Sequence, residues 1–171
     1  MFLLIGFSSP LEASDRHPAA KPTLQWTFKS ARPEITPAHR HIPPTKTTPE
    51  FFEISSDERE GLAGYWCTRL PVTGGTHVEF TVRRRTENLE LKRRAAVARI
   101  QWLDEQGRPV KRAEPTFSSY RPGERPRAEP EFPPVIGTTQ QDDVLAAVYA
   151  VPPNATQAQI ELHFRWGNPN S

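Results

Sequence analysis

The chain has 171 residues, 36% of them hydrophobic, and its 22 basic and 20 acidic side chains leave a formal net charge of only +2. That length supports one core rather than two domains of ordinary size, and so small a charge supplies no global field to draw in nucleic acid or an anionic membrane. Nineteen prolines argue against long helices, and a single cysteine, Cys67, excludes an intramolecular disulfide, a thiolate zinc site and a redox pair.

The opening run Met1-Phe2-Leu3-Leu4-Ile5-Gly6-Phe7, followed by Leu11-Glu12-Ala13-Ser14, resembles a signal peptide with a small-residue cleavage site. Residues 1–14 are therefore expected to direct export, to a periplasm or beyond the cell. Nothing else approaches the roughly 18 apolar residues of a membrane span, so none is expected. Residues 15–49 carry Pro18, Pro22, Pro33, Pro37, Pro43, Pro44 and Pro49. Proline at that density opposes regular pairing, which predicts an extended lead-in with one short strand at Leu24-Gln25-Trp26-Thr27-Phe28.

Residues 50–171 read as a β-sandwich domain. Phe51-Phe52-Glu53-Ile54 is its first strand, and a polar turn follows at 57–64. Val78, Phe80 and Val82 then alternate with His77, Glu79 and Thr81, and Ala96, Ala98, Ile100 and Trp102 alternate with Val97, Arg99 and Gln101. Period two is the mark of a strand with one buried face. Residues 87–99 could hold a helical turn, but from Ala96 onward the strand pattern is better. Asp104-Glu105-Gln106-Gly107 closes the second run as a turn whose glycine suits a positive φ.

A proline-rich connection over 108–142 is long for a compact domain, which suggests a binding loop or a disordered segment. Val144 to Val151 is apolar on both sides and reads as a buried strand. Ile160, Leu162, Phe164 and Trp166, alternating with Gln159, Glu161, His163 and Arg165, give the cleanest strand pattern in the chain. Short strands joined by proline-rich and glycine-rich connections predict an all-β, antiparallel β-sandwich of jelly-roll type.

Chemistry-bearing residues are few. Cys67, between Trp66 and Thr68, reads as a small buried strand residue, because no partner that would activate it as a nucleophile is indicated. His39 and His41 would share one side of an extended segment, but Pro43 and Pro44 favour an exposed loop, and a catalytic zinc would want a third ligand. No metal or cofactor is expected. Arg83-Arg84-Arg85 and Lys92-Arg93-Arg94 form a local basic cluster, yet no aromatics are interleaved with it, so no nucleic-acid partner is expected. Of the four tryptophans, Trp102 and Trp166 lie on the apolar phase of their strands and are assigned to the core. Tyr65, Trp66, Phe117 and Tyr120 are the candidates for stacking on a sugar ring.

Three blocks stand out together: Gly64-Tyr65-Trp66-Cys67-Thr68-Arg69 with Val72-Thr73-Gly74-Gly75, the stretch from Arg93-Arg94-Ala95-Ala96 to Gln101-Trp102-Leu103-Asp104, and Val151-Pro152-Pro153-Asn154-Ala155-Thr156-Gln157-Ala158. With Glu161-Leu162-His163-Phe164-Arg165-Trp166, they resemble, over 50–166, the galactose-binding-like sandwich attached to exported hydrolases of the carbon-nitrogen (nitrilase-like) family, and more loosely carbohydrate-binding modules. The resemblance implies a non-catalytic accessory module of an exported hydrolase, a piece of a longer protein, partnered by a glycan or by the hydrolase domain. It also implies a further sheet-closing strand after Trp166, and it leaves the oligomeric state open. A nitrilase-like site uses glutamate, lysine and cysteine on a separate α/β scaffold, and the Trp66-Cys67-Thr68 setting does not match it. The alternatives are an autonomous carbohydrate-binding protein and an enzyme, the latter requiring convergent titratable groups that the sequence does not assemble.

Overall fold

The computed structural model describes residues 2–6, 24–46, 49–89, 91–112, 128–139 and 142–166. The chain is an all-β, antiparallel sandwich of two sheets. The larger sheet contains β1 (Phe2–Gly6), β3 (Ala38–Ile42), β4 (Phe51–Ser55), β6 (His77–Arg85), β8 (Val135–Thr138) and β9 (Asp142–Ala150), in the order β3-β4-β1-β6-β9-β8. The smaller contains β2 (Thr27–Lys29), β5 (Ala63–Pro71), β7 (Ala96–Leu103) and β10 (Gln157–Arg165), in the order β2-β5-β10-β7. The one α-helix among the described residues is a single turn, α1 (Lys92–Ala95), running directly into β7.

The core forms where the apolar phases of the two sheets meet. Phe80 and Val82 of β6 and Phe52 and Ile54 of β4 come from the large sheet; Ala96, Ala98, Ile100 and Trp102 of β7 and Ile160, Leu162 and Phe164 of β10 come from the small one. Trp102 is wholly buried, as its strand phase predicts. The turn after β7 also follows the prediction: Gly107 takes φ 76°, its N–H donates to the Asp104 carbonyl at 2.9 Å, and Asp104 N–H donates to Arg108 at 3.0 Å.

Several expectations are corrected. Among its described residues the lead-in has two strands where one was expected, because β2 pairs with β5 and β3 pairs with β4, each at a sheet edge where the flanking prolines need not donate. His39 and His41 therefore stand in β3 rather than in a loop, with their rings stacked on Phe28 (3.7 Å) and Phe52 (4.6 Å). The 108–142 connection contains β8, and Glu131 makes an isolated antiparallel bridge to Ile100 at the edge of β7. β9 is not buried on both sides, since Val148 stays 66% exposed on the outer face of the large sheet. Trp166, expected in the core, is 80% exposed: β10 ends at Arg165, and a left-handed φ of 49° turns the next residue out of the strand phase.

Candidate functional site

Two clusters of polar chemistry emerge, one on the outward face of the small sheet and one at its end. On the outward face, cross-strand register brings Cys67 and Arg99 beside Glu161, and Tyr65 beside His163. Glu161 is only 2% exposed and His163 only 6%. Arg99 Nε pairs with the Glu161 carboxylate, His163 donates from Nε2 to it at 2.6 Å, and Gln159 donates to it at 2.6 Å while accepting from Arg69 at 2.8 Å. The Tyr65 ring stacks on His163 with centroids 4.5 Å apart.

The electrostatics follow from that geometry. Burial alone would raise the Glu161 pKa, but the hydrogen bonds from His163, Arg99 and Gln159 outweigh it and hold the carboxyl at about 2. Burial pushes His163 below its ordinary value, so at neutral pH a neutral imidazole donates to a carboxylate. Burial pushes the Cys67 thiol up, which suits an inert strand thiol and not an activated nucleophile. A carboxylate held this low and already bonded to three donors is a poor proton acceptor. This cluster fastens strands together.

The second cluster is a groove of about 800 Å3 at the α1 end of the sandwich, in the size range of small-ligand sites. Its rim carries Arg93 and Arg94 from α1, Arg165 and Trp166 from the end of β10, and Phe132 from the segment leading to β8. Phe132 is 56% exposed, yet its neighbour Glu131 is fixed to β7 by paired backbone hydrogen bonds with Ile100 at 2.8 and 3.0 Å. The Trp166 ring is likewise free while its backbone is anchored, with its N–H donating to the buried Leu62 carbonyl at 2.9 Å. A bulky residue with positive φ is an outlier that its surroundings must enforce.

Arg84 lines the same groove and is only 4% exposed. It pairs with its cross-strand neighbour Asp143 at 2.7 Å and donates to the Ala96 carbonyl at 2.7 Å, tying the large sheet to the start of β7. Burial opposes ionisation of Asp143, but its bonds from Arg84 and Thr138 prevail and keep it below the usual carboxylate range. The Arg84 Nε is buried without a hydrogen-bond partner.

Of the four residues expected to meet a sugar, two, Tyr65 and Trp66, are among the described residues, and they point to opposite faces of β5. Trp66 is 7% exposed rather than at the surface: its indole sits among Phe28, Phe52, His39 and His41, covered by β2 and β3 of the lead-in. Gly64 serves that closure, since a Cβ there would stand 2.5 Å from the Phe28 ring. Tyr65 is half-buried against His163, and Phe117 and Tyr120 lie outside the described residues. Among the described residues no group of three or more histidine, cysteine and carboxylate side chains could hold a metal, and no helix is long and apolar enough to cross a membrane.

The fold and groove thus define an antiparallel β-sandwich with an aromatic and arginine-rimmed cleft at one end. No family model matches the chain, and no curated protein matches it. Among solved structures it is similar to the enzymatically active domain of tailspike protein 4 of bacteriophage CBA120, with a TM-score of 0.52 and 16% identity. The match covers 86% of this chain and 17% of that one. At that identity the likeness is one of fold.

Proposed function

We propose that the chain is a non-catalytic carbohydrate-binding sandwich, an accessory module of an exported hydrolase, whose glycan lies in the groove between α1, the end of β10 and Phe132. The observation that carries this reading is Trp166: an indole 80% exposed, on a backbone held in a left-handed conformation, at the rim of the groove. Exposing two large aromatic rings beside a cleft leaves apolar surface in water, and a pyranose face is a partner that covers such rings while its hydroxyls stay solvated. Phe132 supplies the second ring on a segment pinned to β7. The hydrolase partner is what the resemblance over 50–166 implies, and export is what the opening residues 1–14 imply, although Phe2–Gly6 of that opening stands as β1 between β4 and β6.

The test is affinity electrophoresis of the purified chain in gels containing a panel of neutral and acidic polysaccharides. At least one is expected to retard it, and Trp166→Ala is expected to weaken that retardation about tenfold or more, as for a central aromatic contact. No retardation by any polysaccharide, or full affinity in a Trp166→Ala/Phe132→Ala double variant, overturns the proposal.

A further inference from the structure

We infer that the groove selects acidic saccharides, taking their carboxylates with Arg93, Arg94 and Arg165 around the Trp166 ring. This rests on the carbohydrate-binding reading and names the class of sugar. The described residues that line the groove include four arginines and no aspartate or glutamate. Guanidinium groups are donors only. A neutral sugar presents hydroxyls that both give and take hydrogen bonds, and the protein side chains that usually accept from them are carboxylates, which this lining lacks. A carboxylate-bearing sugar presents acceptors, and two of them lie in the plane and spacing that a guanidinium meets with paired hydrogen bonds.

The charge is also local. With a net charge of +2 for the whole chain, three exposed arginines meeting from α1 and the end of β10 concentrate positive potential at one site. Beneath them Arg84, fixed by Asp143 and the Ala96 carbonyl, keeps a buried Nε–H with no acceptor. A buried donor without a partner is costly, and an anionic ligand in this groove is of the chemistry that would relieve it. A nucleic-acid strand is disfavoured, because strand binding wants a track of cations following successive phosphates, and the cations here converge on one groove.

The experiment compares retardation by polygalacturonate, by the same polymer after carboxyl reduction, by dextran sulfate and by a single-stranded oligonucleotide, for the intact chain and for Arg93→Gln/Arg94→Gln and Arg165→Gln. Expected are retention by polygalacturonate that falls with added salt, a loss of about tenfold or more on carboxyl reduction and in the arginine variants, and unchanged melting temperatures, because these arginines are exposed. Equal retention by the carboxyl-reduced polymer overturns the acidic selectivity and leaves carbohydrate binding standing. Retention by dextran sulfate or the oligonucleotide as strong as by polygalacturonate overturns it as a general polyanion effect. Arginine variants with full affinity overturn it too, and binding to no polysaccharide at all removes the reading beneath it.

Discussion

The outward face of the small sheet gathers charged side chains from β7 and β10, the groove at its end gathers them from β6, α1 and β10, and the two differ in what those charges meet. On the face, Glu161 is enclosed by donors from three directions and lies almost wholly out of water. At the groove, arginines and aromatic rings stand exposed on a backbone that is itself well anchored. A polar cluster that satisfies itself is part of the architecture. One that is rigidly presented but leaves its donors and rings to solvent is where a ligand belongs.

The contrast extends to two tryptophans that the sequence pattern assigns alike to the core, Trp102 wholly buried and Trp166 exposed. Trp102→Ala should cost about 3–5 kcal/mol, the loss expected for a fully buried aromatic, and should leave sugar binding intact in whatever fraction stays folded. Urea denaturation read by circular dichroism checks the stability, and a midpoint unchanged from the parent would place Trp102 outside the core.

Acid should act on the face, and also on the Arg84–Asp143 pair behind the groove. The Glu161 carboxyl is held at about 2 against an ordinary 4.5, so between those values the unfolded chain takes up a proton that the folded chain refuses. The resulting stabilisation, on the order of 3 kcal/mol, is complete above pH 4.5 and is lost as the pH falls toward 2. His163, lowered by burial, acts in the same direction: its contribution is complete above its ordinary 6.5 and is lost as the pH falls through the lowered value. Glu161→Gln is expected to flatten the acid limb of a stability-against-pH curve below about pH 4.5. An unaltered limb would mean that other carboxylates govern acid unfolding.

The smallest expected change in stability is at Trp166. Trp166→Ala should shift the folding free energy by no more than about 0.5 kcal/mol, as for an exposed side chain, while weakening ligand retention about tenfold or more. A large drop in melting temperature would instead make the exposed indole a structural element.

Much of the sandwich was legible in the chain, because period-two alternation carries the inward phase of β6, β7 and β10 directly. What was not legible depended on partners far away in sequence. Trp66 is covered by β3, and nothing near Tyr65-Trp66-Cys67 signals that a strand from the proline-rich lead-in closes over it. Trp166 continues the apolar alternation of β10, and only its positive φ, beyond the last ladder pair at Arg165, separates it from the core. The burial of Glu161 and His163 was hidden because their phase is polar and therefore reads as solvent-facing. The groove could not be read at all, since Arg84, Arg93, Phe132 and Trp166 converge only through the fold. Its local signals were the adjacent pairs Arg93-Arg94 and Arg165-Trp166.

The order of the small sheet also bears on how the molecule assembles. β10 follows β2, β5 and β7 in the chain, yet it lies between β5 and β7 and pairs with both along its length. Until it is synthesised, those two strands have no neighbour on their facing edges, and each offers open backbone donors and acceptors to any other nascent chain. Placing β10 in this sheet is an insertion, not an addition at the rim. Such non-local closure places the protein among the slow folders, on a timescale of about milliseconds to seconds, and makes protection of the half-built sheet a condition of its yield.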